Sequence, residues 1–218
     1  MVSIVGGIDE AGRGCLLGPL VVAGVSVDKD SVKKLKKMGV RDSKKLSPKQ
    51  REALFVEILE ICRRVATVQI RPDEIDAVVR TGKKYRKLNY LEAIYFARVV
   101  DELGAREVVV DASDSSPKRF QTVISENVRR RCAVFAAHKA DRDYPVVSAA
   151  SIIAKVERDR AVEKLKRRLG DFGSGYPSDP VTRAFFRDWM RRGEPLPEDV
   201  RKSWKTWENL QQTLLAPR

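Results

Sequence analysis

The chain has little cysteine and no long apolar run, and each shortage excludes a class of protein. Its cysteines are odd in number and show no CxxC spacing, which argues against a disulfide framework and against a structural zinc site; they are Cys15, Cys62 and Cys132. No apolar run approaches the ~18 residues that a membrane-spanning helix needs. The first residues, MVSIVGGIDEAGRG, lack the basic start of a secretion signal. We therefore expect a cytoplasmic protein with reduced cysteines.

Acidic residues are also scarce relative to basic ones. The sequence holds 43 Lys and Arg against 30 Asp and Glu, for a formal net charge of +13. The basic excess is concentrated in residues 29–51, in the group Arg80, Lys83, Lys84, Arg86 and Lys87, and in the run Arg129, Arg130 and Arg131. Each cluster alone is compatible with a solvated surface adapted for solubility or heat. Together they favour a polyanionic partner such as nucleic acid, because each contact to a phosphate releases counterions.

The length and the spacing of apolar residues predict an α/β protein. A chain of 218 residues can bury roughly 70% of its unfolded surface without a disulfide or a metal. Short runs rich in Val and Ile predict strands at residues 3–8, 20–27, 65–70, 107–113 and 133–141. Helical spacing predicts helices that begin at residue 48 and that span residues 88–103, 116–131 and 145–169. Two successive strand–helix units imply parallel pairing within a central sheet flanked by helices.

A late loop predicts a boundary in the chain. The segment GDFGSGYPSDP is rich in Gly and Pro and follows the long helix that ends near residue 169. The remainder contains all three tryptophans, and we interpret it as a small helical appendage rather than an independent domain. The predicted division is therefore residues 1–169 and residues 170–218.

Four acidic residues come at or just beyond the ends of apolar runs: the pair Asp9 and Glu10, then Asp111, then Asp141. Because functional groups gather at strand ends in open α/β sheets, we expect these side chains to converge. Carboxylate oxygens suit Mg²⁺, and two ions ~4 Å apart serve phosphodiester hydrolysis. Any one of these acids alone is more often a helix cap, a turn residue or a salt-bridge partner. Taken together with the positive charge, the four predict a nuclease.

The single histidine, His138, lies three residues before Asp141. This proximity suggests an acid–base role for His138. If the run before Asp141 is a strand, a residue three positions away points to the opposite face of the sheet. We therefore expect a structural role for His138.

Six segments of the chain resemble the ribonuclease HII family, the type 2 ribonucleases H, and they follow in that family's order. They are GIDEAGRGCLLGPLVVAG, DSKKLS, DAS, HKAD, SAASIIAKVERD and GSGYPSDP, and they cover nearly the whole chain. The length and the basic C-terminal extension are closer to the archaeal branch. The resemblance implies a ribonuclease H-like catalytic domain at residues 1–169, with a mixed central sheet flanked by helices. It also implies a C-terminal helical segment at residues 170–218 that completes the substrate site.

The resemblance also implies an activity. The family cuts the RNA strand of RNA/DNA hybrids and cuts 5′ of single ribonucleotides embedded in duplex DNA, leaving 5′-phosphate and 3′-hydroxyl ends. By motif position, the catalytic carboxylates are Asp9, Glu10, Asp111 and Asp141, and they bind two Mg²⁺ or Mn²⁺ ions.

Other segments imply the substrate-binding residues. Gly12, Arg13 and Gly14 match the family's GRG loop, whose backbone reads the 2′-hydroxyl at the junction of RNA and DNA. Only glycine lets a backbone approach a sugar so closely, and the 2′-hydroxyl separates RNA from DNA there. Tyr176 matches the tyrosine that packs against the neighbouring sugar. Candidate phosphate contacts, with a plain surface charge as the alternative, are Lys44 and Lys155.

Two rival functions are weighed against this one. A junction resolvase or exonuclease of the same superfamily needs no reader of a 2′-hydroxyl, so the GRG loop and Tyr176 argue against it. A non-catalytic basic RNA-binding protein has no use for four converging acids. The expected partners are RNA/DNA hybrids and ribonucleotide-containing duplex DNA, bound by a monomer.

The terminal segment QQTLLAPR resembles the tail with which many archaeal relatives hold the sliding clamp. Here Gln211 and Leu214 are not followed by the expected aromatic pair. On this ground we expect no clamp binding.

Overall fold

The computed structural model describes residues 4–40, 46–82, 87–204 and 207, and five strands within them form one sheet. The strands are β1 (Ile4–Ala11), β2 (Leu20–Asp28), β3 (Arg64–Ile70), β4 (Glu107–Asp111) and β5 (Ala133–Ala137), in the spatial order β3-β2-β1-β4-β5. The first three pair antiparallel, whereas β4 runs parallel to both β1 and β5. The carboxyl ends of β1, β4 and β5 therefore meet at the same edge of the sheet.

Helices cover both faces of this sheet. They are α1 (Val32–Lys37), α2 (Pro48–Ile61), α3 (Pro72–Thr81), α4 (Leu88–Leu103), α5 (Pro117–Asn127), α6 (Ala140–Asp143), α7 (Pro145–Leu169) and α8 (Pro180–Arg191). Side chains of α4 and α5 pack with Ile8, Val22 and Val108 on one face. Side chains of α1, α2 and α7 pack with Ala23 and Val25 on the other. Successive side chains of a strand, such as Val22 and Ala23, therefore point to opposite faces of the sheet, as the two-residue period of a strand requires. The predicted mixed sheet flanked by helices is confirmed.

Helix α7 crosses β1 at very close range. A Cβ atom added to Gly7 would lie 2.3 Å from the carbonyl carbon of Val146 and 2.5 Å from the nitrogen of Val147. Only a residue without a side chain allows this backbone contact. The contact sets the first turns of α7 beside the strand that carries two of the predicted acids.

The C-terminal segment packs against the loop between β1 and β2. Leu16 and Leu17 of that loop are fully buried with Phe172, Phe186 and Val200 in a third apolar cluster. The hydroxyl of Thr182 also accepts from the Gly175 amide, which ties α8 to the loop before it. The predicted division after residue 169 stays a prediction, but the two parts share one cluster of buried side chains.

Several predicted boundaries differ from the observed ones. The helix predicted at residues 116–131 ends at Asn127. The amides of Arg129 and Arg130 donate instead to the Asp101 carboxylate, at 3.0 and 3.3 Å, which holds the chain outside the helix. Three helices, α1, α3 and α6, were not predicted. The signals for α3 were present, since Pro72 occupies its first position and Asp73 lies in its first turn.

The strand predicted at residues 133–141 is also too long. Strand β5 ends at Ala137, and Lys139 takes a left-handed conformation with φ 57° that starts helix α6. Asp141 therefore lies on a helix, and the argument that placed His138 on the opposite face of a strand is wrong. The exposed His138 has its Nδ1 atom 3.2 Å from the carbonyl oxygen of Ala112.

The predicted basic clusters do not all lie near the predicted acids. Arg129, Arg130 and Arg131 precede β5, at the end of the sheet opposite to the predicted acids. Most of the group around Lys84 lies outside the described residues, as does residue 44. Among the helices that the structure describes, none is long and apolar enough to cross a membrane.

Candidate active site

Three of the four predicted carboxylates meet at the carboxyl edge of the sheet. Asp9 lies near the end of β1, Asp111 is the last residue of β4, and Asp141 is the second residue of α6. One carboxylate oxygen from each lies within 4.8 Å of the other two. The parallel register that pairs Ile8 with Val110 brings Asp9 beside Asp111. The predicted convergence therefore comes from the parallel pairing of two strands and from the helix that follows the third.

Asp111 also positions the helix that carries Asp141. Its Oδ1 atom accepts a hydrogen bond from the amide of Ala140, 3.0 Å away, at the first residue of α6. The Ser148 hydroxyl, from the first turn of α7, donates to the backbone carbonyl of Asp141. Asp111 at the end of β4 and Ser148 in α7 thus hold Asp141 in place, and Asp111 is itself an acid of the cluster.

Glu10 is not a member of this group of three. Consecutive residues of a strand point to opposite faces, so Glu10 turns toward α4 whereas Asp9 turns toward α7. The Oε2 atom of Glu10 is buried without a hydrogen-bond partner among the described residues. Glu10 nevertheless lies close enough to Asp9 and Asp111 for their charges to raise its pKa.

Burial and crowding strongly raise the pKa values of Asp9 and Glu10. Burial raises the pKa of Asp9 to about 7, against the lowering effects of a Ser151 hydrogen bond and of the Lys155 charge. Burial, followed by the charge of Asp9, raises the pKa of Glu10 well above its ordinary value. These two carboxylates are held where a negative charge is costly unless a cation neutralises it. Such a site favours a bound divalent ion.

The donor atoms fit a hard divalent cation. The three clustered side chains offer only carboxylate oxygens, which are the ligands that Mg²⁺ and similar ions prefer. The buried Oε2 atom of Glu10 supplies one more oxygen that no described group satisfies. The residues present therefore suit a divalent metal centre formed by Asp9, Asp111 and Asp141, with Glu10 beside it.

The predicted GRG loop lies next to this cluster. Gly12 has φ +88°, and an added Cβ would lie 2.7 Å from the carbonyl oxygen of Pro19. Both its conformation and its surroundings require glycine. The Arg13 guanidinium turns inward, donating to the carbonyl oxygen of Ser113 at 2.7 Å and to Oδ1 of Asn89 at 2.5 Å.

A buried acid completes the contacts of Arg13. The guanidinium lies 3.2 Å from Oε2 of Glu92, a side chain of α4 that is fully buried. Burial raises the pKa of Glu92 to about 7, although the Arg13 charge and a hydrogen bond from Ser113 act in the opposite direction. The arginine of the loop thus serves as an anchor to α4 and to the loop after β4.

The structure brings Tyr176 to the same loop. A Cβ added to Gly14 would lie 3.8 Å from Cε1 of Tyr176, and the phenol oxygen of Tyr176 accepts a hydrogen bond from the backbone of Gly12. The guanidinium carbon of Arg158, from α7, lies 4.8 Å from the centre of the Tyr176 ring. Arg158 also donates to the carbonyl oxygen of Ser174, so it fixes the loop on which Tyr176 lies.

Asp179 holds the other end of the Tyr176 loop. Its carboxylate accepts from the amides of Ser174 and Val181, at 2.6 and 2.9 Å, and caps helix α8. A hydrogen bond from the Ser174 side chain, together with these amide hydrogen bonds, lowers the pKa of Asp179 to about 2. The loop is therefore fixed at both ends before any substrate binds.

The two predicted lysines have different outcomes. Lys155 lies on α7 and donates to the Ser151 hydroxyl. It is near enough to Asp9 for its charge to oppose the burial that raises the pKa of Asp9. It is thus beside the acids rather than on an outlying surface. Lys44 lies outside the described residues.

Sequence reasoning missed three residues that contact the site: Glu92, Arg158 and Arg201. A signal for Glu92 existed, because it interrupts the apolar series Leu88, Tyr95, Val99 and Leu103 on the inward side of α4. An acid on the buried side of a helix is costly and calls for a partner. For the two arginines the sequence offered no comparable pattern.

The ribonuclease HII family model matches residues 6–207 of the chain. The chain belongs to the ribonuclease HII family. A curated ribonuclease HII from Thermococcus kodakarensis is 47% identical over 208 residues, which are 94% of this chain and 89% of the relative. The crystal structure of ribonuclease H2 from Pyrococcus horikoshii has a TM-score of 0.86 and 40% identity, covering 97% of this chain and 98% of that one. The structure of a PCNA:RNase HII complex from Archaeoglobus fulgidus has a TM-score of 0.85 and 44% identity, covering 95% and 97%.

Membership in the ribonuclease HII family confirms the resemblance seen in the sequence, including its likeness to archaeal members. It identifies the protein as a metal-dependent ribonuclease, a hydrolase, and supports cleavage of the RNA strand of RNA/DNA hybrids. The acidic cluster is consistent with the dependence of ribonucleases H on a divalent metal.

One expectation is not borne out. The tail of the chain argued against clamp binding, yet the ribonuclease HII from Archaeoglobus fulgidus is seen in complex with PCNA, the sliding clamp. The absence of an aromatic pair after Gln211 is therefore not a sufficient reason to exclude this partner. Residues 208–218 lie outside the described residues.

Proposed function

We propose that this ribonuclease HII family member cleaves 5′ of ribonucleotides embedded in duplex DNA, in addition to the RNA strand of hybrids, with two Mg²⁺ or Mn²⁺ ions. The observation that carries the proposal is the placement of the acidic cluster beside the loop of Gly12, Arg13 and Gly14 and beside Tyr176. The cluster provides the ligands for hydrolysis. The loop and the ring provide a surface for recognising one sugar.

The acids have distinct places in this proposal. Asp9, Asp111 and Asp141 would hold the ions, and Glu10, on the other side of β1, would complete the set. When bound, the ions would supply an activated water and stabilise the leaving oxygen. Lys155 lies beside Asp9 and balances part of the negative charge of the cluster. The scissile phosphate would lie at the carboxyl edge of the sheet, where β1, β4 and α6 end or begin.

Selection for a ribonucleotide would come from the neighbouring loop. Gly14 is exposed and carries no side chain, so its own backbone is open to a sugar. The 2′-hydroxyl both donates and accepts, and it is the group by which a protein separates RNA from DNA. Tyr176 would pack against the adjoining deoxyribose. In this proposal residues 170–218 complete the site, because they contribute Tyr176 and the groups that fix its loop.

The positive charge would bind the flanking duplex. Residues 29–51 hold ten Lys and Arg against Asp30 and Asp42, and a part of this stretch lies outside the described residues. Lys44 remains a proposed phosphate contact. Since Arg129, Arg130 and Arg131 lie at the opposite end of the sheet, we assign them no role in holding the scissile strand.

The proposal is tested with a DNA duplex that carries one ribonucleotide, incubated with Mg²⁺, with Mn²⁺ or with EDTA. We expect one cut 5′ of the ribonucleotide, with a 5′-phosphate and a 3′-hydroxyl at the new ends, and no cut in EDTA. A matched all-DNA duplex is the control. Equal cutting of the all-DNA duplex would show that the substrate assignment is wrong, and cutting only of continuous RNA/DNA hybrids would remove the embedded ribonucleotide from the proposal.

We further propose that the chain binds a sliding clamp. A relative that is 44% identical over 95% of this chain forms a complex with PCNA, which supports the proposal. Size-exclusion chromatography of the chain with an archaeal PCNA should give a joint peak. Deleting residues 208–218 should abolish that peak and leave cleavage intact. Joint elution of the shortened chain would place the contact elsewhere.

A further inference from the structure

Arg201 is a fully buried arginine whose donors all bind backbone oxygens. Its Nη1 atom donates to the carbonyl of Arg13 at 2.7 Å, and its Nε and Nη2 atoms donate to the carbonyl of Gly18 at 3.3 and 3.0 Å. No carboxylate of the described residues forms an ion pair with it. A buried charge without a partner of opposite sign is costly, so the position requires these hydrogen bonds.

The rest of the C-terminal segment binds the same loop. The amide of Arg201 donates to the carbonyl of Leu16 at 2.8 Å, and the amide of Gly18 donates to the carbonyl of Asp199 at 3.0 Å. The indole N–H of Trp204 donates to the carbonyl of Cys15 at 2.8 Å. Residues 199–204, which we call the brace, thus hold residues 13–18 in place by hydrogen bonds. Among these contacts, that of Arg201 with Arg13 is the one that reaches the GRG loop itself.

This contact decides which way one peptide group faces. The carbonyl of Arg13 and the N–H of Gly14 belong to the same peptide unit, and in a trans peptide they point in opposite directions. Because Arg201 draws the carbonyl into the protein, the N–H of Gly14 must point outward. Gly14 is exposed, and its N–H has no hydrogen-bond partner among the described residues.

We propose that Arg201 is a positioning residue that sets the orientation of the Arg13–Gly14 peptide and so directs the Gly14 N–H at the 2′-oxygen of the substrate. The inference rests on the proposed recognition of a 2′-hydroxyl. The Arg13 side chain is held separately by Glu92 and Asn89, so the peptide is fixed from two sides. An outward N–H held in advance loses little freedom when the sugar binds, which is the condition for a selective hydrogen bond.

The test compares Arg201→Lys with the unaltered chain on two duplexes that differ at one sugar, a 2′-hydroxyl or a 2′-fluoro group. Lysine keeps the charge, but its single nitrogen cannot bind both carbonyls in the geometry of a guanidinium. The measured quantity is the preference, the ratio of kcat/KM for the hydroxyl duplex to that for the fluoro duplex. If the fluoro duplex is not cut, the ratio of the two dissociation constants in EDTA takes its place. We expect the preference to fall about tenfold, the value of one hydrogen bond.

A purely structural role for Arg201 would lower both rates equally and leave the preference unchanged, and that result would overturn the proposal. The matched control is Arg168→Gln, which removes an exposed ion pair with Asp199 in the same brace and should leave the preference intact. If Arg201→Lys does not fold, Arg201→Gln replaces it, because it removes the buried charge together with the guanidinium that binds both carbonyls. A fall in preference then supports the proposal, and an unchanged preference overturns it.

The same assay separates this inference from the function on which it rests. If the unaltered chain shows no preference for the hydroxyl duplex, the proposed recognition of the 2′-hydroxyl is wrong. If it shows the preference and Arg201→Lys retains all of it, only the role of Arg201 is wrong.

Discussion

Asp111→Asn is expected to abolish cleavage while leaving duplex binding nearly unchanged. Asparagine keeps an oxygen that can accept from the Ala140 amide, so helix α6 and Asp141 should stay in place. What is lost is a negative charge and a metal ligand at the centre of the acidic cluster. The ions supply several kcal/mol of charge stabilisation, and each ~1.4 kcal/mol is a factor of ten. We expect single-turnover cleavage to fall by at least about a thousandfold.

The control for this variant is Asp143→Asn. Asp143 lies on the same short helix as Asp141 but is exposed, and the substitution removes the same charge. It should change cleavage by less than about twofold, since a screened surface charge contributes little. Binding of Mn²⁺, measured by calorimetry, should weaken for Asp111→Asn alone. Unchanged turnover of Asp111→Asn would exclude this residue from the site.

Gly7→Ala is expected to cause a large loss of stability. The added methyl group would lie 2.3 to 2.5 Å from backbone atoms of Val146 and Val147. Backbone atoms at the start of a 25-residue helix cannot move aside singly, so the whole helix must shift. We expect the free energy of unfolding to fall by about 3 kcal/mol or more, the upper end of the cost of overpacking. Such a loss is a large part of the stability of a typical domain.

The neighbouring glycine provides the comparison. A Cβ atom added to Gly6, on the other face of β1, would lie 3.1 and 3.3 Å from the side-chain ends of Val108 and Leu103 and 3.3 Å from the carbonyl oxygen of Val25, all farther than the backbone atoms that Gly7 would meet. Side-chain ends can rotate, so Gly6→Ala should cost clearly less in denaturant unfolding. If Gly6→Ala and Gly7→Ala lose equal stability, the close approach of α7 is not the cause. Any folded Gly7→Ala protein should also cleave slowly, because Ser151 and Lys155 would move away from Asp9.

The elements with strong local signals were predicted well. Helix α2 starts at Pro48, as predicted, and has a capping box between Ser47 and Gln50; α4 ends, as predicted, before Gly104, which is in a left-handed conformation. The errors arose where a distant group competes with the local pattern. Helix α5 stops early because Asp101, on another helix, binds the amides that would continue it.

For the candidate site, the sequence predicted the acids and their convergence, but not the face of the sheet on which each one lies. Asp9, Asp111 and Asp141 meet because parallel strands end at one edge, which the two strand–helix units already implied. Glu10 departs from the group, since its neighbour Asp9 occupies the other face of the strand. Motif order could assign four residues to one site without showing that they occupy two sides of it.

What the order of amino acids established without coordinates is chemical: a basic chain, oxygen ligands for a divalent ion, glycines where a backbone must come close, and the family to which these belong. Local composition suffices for such properties because they reside in single residues and short segments. The partners of buried charges needed the folded chain. Arg201 lies 188 residues from Arg13, and Glu92 and Arg13 come from separate elements. Their pairing depends on how loops, helices and the C-terminal segment pack, and no short segment of sequence encodes that.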